Sequence, residues 1–412
     1  MDRMIKRSVR IAVLILAACL TFLSADAPDI GDHITIRLMT LGQGDPVYIW
    51  FGHSAIVVDD ENRRTSLLYD YGVFDFQQEN FYTNFAMGRL IYSIIVSPAQ
   101  AHVYLARQTE RNLRVATLDL PSEAKEEVAT FLARDVLPGN NTYLYHHYYD
   151  NCSTRIRDII DAATGGQFKA WAVSQEGSMT YREHVRRHTG HSFFMDWLLN
   201  FLQGPLIDRP ITRWDDMFLP EELERSVLEF SYTDPQGDRI PLAASYEVVT
   251  QFASRPPVPE AWYPLWPKGL LLGIFLAAVS LASQSLRFRG VKGSSWGILN
   301  AFLGIFFGIF GTVLPFMMLF TDHDVTRGNL NLFMVNPLWL IFGVLGILHA
   351  RGKADYTRQM VLLWRVLGVL SLVMLALRLF MEYPQQNMLT ISIVLPLVLI
   401  QGQWWRWKRR DP

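Results

Sequence analysis

Apolar and polar positions divide the chain into three regions. Residues 268–404 are mostly apolar, with short polar breaks. Five runs there approach the length that crosses a bilayer: 269–286, 296–320, 332–349, 360–379 and 388–404. The breaks "RFRGVKG" (287–293) and "HARGKADYTR" (349–358) and the tail "WWRWKRR" are basic, while "TDHDVTRGNLN" and "RLFMEYPQQN" each carry one arginine and at least one acid. The positive-inside rule places the basic breaks and the C-terminus in the cytoplasm and residues 28–264 outside. Trp266, Trp296, Trp404 and Trp405 stand at span ends, where interfacial aromatics belong.

The N-terminus predicts the same side independently. A basic "MDRMIKRSVR" precedes "IAVLILAACLTFLS", an apolar stretch too short for a confident span and suited to export. Three fates stay open: a lipobox "LAAC" with Cys19 lipidated, cleavage after "ADA" despite Pro28, or an uncleaved anchor. The expected organisation is therefore a signal segment or anchor (1–27), an exported domain (28–264) and an all-α, five-span membrane domain (265–412), in the cytoplasmic membrane.

Within 28–264 the pattern turns mixed. "YIWFGHSAIVVDD" and "SLLYDYGVFDF" read as two strands joined by the turn "DENRRT", and "STRIRDIIDAA" reads as an amphipathic helix, so an α+β domain is expected. The net charge of −1 gives no basic field and no case for nucleic acid. Two cysteines, one of them in the signal segment, cannot make a thiolate metal site, and no phosphate-binding glycine loop precedes a helix, so no cofactor is expected.

That leaves Cys152 as a lone thiol in an exported domain. A small buried hydrophobe is the common reading of such a residue. The surroundings "YYDNCSTRIRDII" argue otherwise. Asn151 or a neighbour caps the helix, so Cys152 stands at its positive end, where the dipole and free amides favour a thiolate. Arg155 and Arg157 add positive charge. Such a nucleophile needs a base, usually a histidine held by a third polar group. His146, His147, His184, His188 and His191 lie in polar surroundings that suit turns and solvated faces. His53 differs, because it opens an apolar strand between Gly52 and Ser54. Asp70, near the centre of the next strand, would stand beside it, with Asp75 in reserve. The order His, acid, Cys matches circularly permuted papain-like folds rather than the usual papain order. Helix-start amides, with the Asn151 side chain, would hold an oxyanion.

At the outer membrane boundary, Asp322, His323, Asp324, Asn329, Asn331 and Asn336 cluster in one loop. They read either as a plain connecting loop with capping asparagines or as a site. "SFFMDWLLNFL" (192–202) reads as a core helix or as one that dips into lipid.

Taken together, "GHSAIVV", "LLYDYGVFDFQQENFYTNFAMGRLIY", "YYDNCSTRIRDII", "TYREHVRRH", "LQGPLIDRPIT…MFLPEELERSV" and "NLNLFMVNPL" resemble the Lnb family of bacterial lipoprotein N-acyltransferases. The resemblance spans most of 28–264 and part of the membrane region. It implies acyl transfer from a membrane phospholipid to the N-terminal amine of diacylated lipoproteins, with Cys152 matching the nucleophile and His53 the base. Asp70 stands where the family often has Asn. Asn151 and Ser153 would support the nucleophile. Tyr71, Arg155, His323, Asn329, Asn331 and Asn336 are candidates for substrate binding. A papain-like peptidase or amidase acting on cell-wall peptides is the alternative enzyme, and a non-catalytic membrane scaffold is the third reading.

Overall fold

The computed structural model describes residues 31–404 except positions 78, 235, 289 and 353. The N-terminal segment, Cys19 and the end of the basic tail lie outside the described residues.

In the N-terminal half, β1 (Ile34–Leu41), β2 (His53–Asp60) and β3 (Thr65–Val73) form an antiparallel meander. The chain continues through α1 (Phe81–Met87), β4 (Ile91–Pro98), α2 (Ala99–Gln108), β5 (Leu113–Leu118), α3 (Ser122–Asp135), β6 (Thr142–Leu144) and α4 (Cys152–Ala163). Then come α5 (Tyr181–Thr189), α6 (Phe193–Leu202), α7 (Pro220–Glu229), a small hairpin of β7 (Ser231–Thr233) and β8 (Arg239–Pro241), and β9 (Ala243–Thr250). Seven strands make one sheet in the order β6-β4-β3-β2-β1-β5-β9, with every neighbour antiparallel.

Both faces of the sheet are covered. Ile34, Ile36, Leu38, Ile56 and Val58 pack against Val128 and Leu132 of α3 and Ile156, Ile159 and Ile160 of α4. Met39, Leu41, Ala55 and Val57 pack on the other face against Ala99 and Ala106 of α2. Two-sided burial is why "AIVV" reads as a continuous apolar run instead of alternating. The predicted hairpin forms with its turn in place, Asp60 pairing with Thr65.

The C-terminal part holds α8 (Trp266–Ser283), α9 (Ser294–Phe320), α10 (Leu338–Ala350), α11 (Thr357–Arg378) and α12 (Met388–Gln401). Four segments are long and apolar enough to cross a membrane, α10 counting from Leu330 through a short 3-10 turn. The fifth helix, α12, is apolar but has only 14 residues. At 1.5 Å per residue it is ~21 Å long, short of the ~30 Å hydrocarbon core. Helices α9 and α10 approach backbone to backbone. A side chain at Gly304 would collide with the Gly343 amide, and one at Gly346 with Ala301. Small residues at such seams bring membrane helices together by close packing.

Helix α6 joins the two parts. Trp197 packs on Phe306, Phe307 and Phe310 of α9, with ring centroids 6.0, 6.3 and 5.2 Å away. Phe310 lies ten residues before the end of α9 at Phe320, so α6 packs alongside the second half of that apolar helix. "SFFMDWLLNFL" is thus a helix packed against the apolar α9.

Candidate active site

Cys152 is the first residue of α4. Asn151 caps the helix: its Oδ1 accepts from the Ser153 and Thr154 amides at 2.8 and 2.9 Å, and Thr154 Oγ1 accepts the Asn151 amide in return. The Asn151 Nδ2 donates to the carbonyls of His147 and Phe218. Both of its hydrogens are therefore placed, and Asn151 is a cap and loop tie rather than an oxyanion donor. Ser153 is fully buried and donates to the Met217 carbonyl. With two first-turn amides taken by the cap, the Cys152 N–H is the amide left at the helix start.

His53 opens β2, and its Nε2 lies 2.9 Å from Asp70 Oδ1. Asp70 also accepts the Gly72 amide at 2.7 Å. The register of β3 against β4 shifts between Asp70 and Val73, a bulge of the kind that re-aims side chains at sites. A Cβ on Gly72 would run into the imidazole, so glycine makes room for the ring. Nδ1 is the ring nitrogen that Asp70 leaves open, and Cys152 is near enough to act on the charge of the imidazole.

Charge ties the three together. Burial pushes the His53 pKa down, but the Asp70 carboxylate and Cys152 outweigh it and hold the imidazole well above its ordinary value. For Asp70, burial acts upward, yet His53, the Gly72 amide and His102 bring it down to about 2. The arrangement favours an imidazolium between a carboxylate and a sulfur.

Two further groups reach this site and were not legible in the sequence. His102 on α2 is lowered, first by burial. Arg111 is buried, donates Nε to the Gly42 carbonyl at 2.9 Å and leaves one terminal nitrogen without a partner. Burial lowers its pKa to about 10, while Cys152 and Asp70 act to raise it. Both come to the site through strand order, since β5 pairs with β1 and β1 with β2. Phe74 stacks on Tyr92, which stacks on Tyr145, beside exposed Phe76, Tyr82 and Phe85.

The other candidates are placed elsewhere. Asp75 accepts the Gln77 amide as a turn carboxylate. Tyr71 donates to Asp135, and Arg155 forms a two-pronged ion pair with Asp150 and stacks over Tyr143. Both line a cavity of about 570 Å³ between α3 and α4 whose lining does not include Cys152 or His53. Arg157 is held by Asp158 and the Trp214 carbonyl. His323 reaches the Phe85 carbonyl of α1. Asn329 and Asn331 are buried, both donating to the Phe201 carbonyl. Their oxygens accept from Gln385 and Asn387. Asn336 caps the start of α10 by accepting the Leu338 amide. None of these contacts includes Cys152, His53 or Asp70, and the asparagines act as an internal joint.

His147 is half-buried, and desolvation lowers it to about 3, so it stays neutral. His184 pairs with Asp216 and His188 with the Trp50 carbonyl. His146, six residues before Cys152, bonds Asp324 of the membrane-proximal loop at 3.0 Å, and Tyr148 donates to Gln203. The segment leading into α4 thus rests on the loop that follows α9.

Residues 27–187 match the Lnb N-terminal periplasmic domain, and residues 264–411 match the Lnb transmembrane domain. The chain belongs to the Lnb family. It is an inner-membrane, multi-pass protein whose N-terminal domain is periplasmic. No curated protein and no solved structure matches it significantly.

Proposed function

We propose that this Lnb protein is a thiol-dependent N-acyltransferase, moving an acyl chain from a phospholipid to the N-terminal amine of diacylated lipoproteins. The periplasmic domain is read as a permuted papain-like fold, and all five apolar helices as crossings. One observation carries the proposal: a Cys–His–Asp constellation whose nucleophile helix is fed by a segment bonded to the membrane-proximal loop.

His53 Nδ1 takes the Cys152 proton, and the thiolate attacks the ester carbonyl of a phospholipid. The Cys152 N–H stabilises the oxyanion. Collapse breaks the ester C–O bond, and the lysophospholipid alkoxide leaves with the proton from the imidazolium. The thioester is then attacked by the α-amine of the diacylglyceryl cysteine; His53 accepts the amine proton and Cys152 departs as thiolate. Asp70 keeps the imidazole oriented and favours its charged form. Both substrates lie in the outer leaflet, so anchoring the nucleophile there raises its effective concentration.

Mass spectrometry of lipoprotein N-termini from cells with and without the protein tests the proposal. Triacylated termini should depend on the protein and on Cys152. Identical termini in both strains would refute it, and cleaved cell-wall peptides instead would favour the peptidase reading.

A further inference from the structure

Between α8 and α12 the membrane-facing surface holds a groove of about 630 Å³ with an almost wholly apolar lining, running from Trp266 to Leu281. The fifteen helical steps between them make it ~22 Å long, more than one leaflet of acyl chain. At its outer end, Trp266 and Met388 are shared with a second cavity of about 170 Å³, lined by both apolar and charged side chains. Two guanidinium groups line that cavity: Arg186 from the periplasmic domain and Arg378 from the last turn of α11.

Neither arginine forms an ion pair among the described residues. Arg186 donates to the side chain and the carbonyl of Gln386 and lies over the Trp262 ring. Arg378 donates to Asn387. Three carboxylates lie near Arg186: Asp196, which also lines the cavity, accepts from Thr189 and Asn200, Asp208 pairs with Arg182, and Glu183 accepts from Thr180 and Gln386. Burial and the neighbouring Arg182 bring Arg186 down to about 10, against the pull of Asp196, Asp208 and Glu183. A second protein helix could fill the apolar groove but would leave both guanidinium groups unpaired.

We infer that this composite groove binds one membrane phospholipid, the phosphodiester between Arg186 and Arg378 and an acyl chain along α8 and α12. The site shares no lining residue with the Cys152 site, and it joins the periplasmic domain to the helices through one lipid. The geometry suits an outer-leaflet lipid, because the charged end lies where the periplasmic domain enters α8. Arginine is the natural reader here, since its planar fork matches phosphate oxygens.

The test uses the full chain, carrying Cys152→Ala to prevent turnover, delipidated in mild detergent and titrated by native mass spectrometry. The probes are dioleoylphosphatidylglycerol and dioleoylglycerol, which lacks the phosphate. Dioleoylphosphatidylglycerol should bind at least tenfold more tightly than dioleoylglycerol. Arg186→Gln with Arg378→Gln should abolish that preference, and the paired lysine substitutions should keep most of it. Ala278→Trp, on the exposed wall of the groove, should weaken binding while leaving the guanidinium groups intact. Equal binding of the two probes, or unchanged binding in both the glutamine pair and Ala278→Trp, would overturn the inference. So would a second copy of the chain occupying the groove in place of lipid.

Discussion

At one end of the sheet, Cys152, His53 and Asp70 meet with valence to spare: a helix-start amide unclaimed by the cap, an imidazole between sulfur and carboxylate, and Arg111 with a free nitrogen. At the seam between the two domains, Asn329, Asn331, Gln385 and Asn387 are as polar and as buried, yet their side-chain amides bond Phe201, Gln203 and one another. Polarity in an apolar setting therefore has two meanings. Where every hydrogen bond is satisfied it fixes geometry, and where capacity is left over it can act on a substrate.

The comparison breaks most sharply at Cys152. Cys152→Ala should remove acyl transfer by roughly 10³-fold or more with an unchanged melting profile, measured with phospholipid donor and a diacylated peptide; appreciable residual transfer would mean the spare valence serves something else. His53→Ala should cost about 10²–10⁴-fold in the same assay. Asp70→Asn should cost less and report through pH. The wild-type ion pair holds below the raised His53 pKa and is lost as pH rises through it; without Asp70, burial dominates, so the alkaline limb of the pH–rate profile should move to lower pH. A limb that stays put would show that Asp70 does not set the imidazole charge.

At the seam the expected readout is stability. Asn331→Leu strands its partners and should destabilise the protein by about 1–3 kcal/mol, with transfer per folded molecule unchanged. A loss of turnover at full stability would move the asparagines back into the substrate site. Asp324→Asn removes a half-exposed pair with His146 and should cost under ~1 kcal/mol by denaturant titration, the smallest effect of the set.

Much of this was legible because it is local. Hydropathy and loop charge mark the apolar helices and their orientation, and Asn151 before Cys152 announces a capped helix start. The hairpin turn brings Asp70 beside His53. What escaped is set at long range. Asn329 bonds Phe201 and Gln385 across 128 and 56 residues, so no local pattern separates a joint from a site. Arg111 and His102 arrive through the placement of β1 between β2 and β5. The length of α12 also escaped: the expected span runs to 404, whereas the described helix stops at Gln401.

The central claim is that Cys152 carries the acyl group between donor and acceptor. Incubating the purified protein with phospholipid alone and digesting it for mass spectrometry tests this most directly. The account predicts one acyl mass on the peptide containing Cys152, removed by hydroxylamine and discharged by a diacylated lipopeptide. Transfer to the lipopeptide with Cys152 never acylated would contradict it.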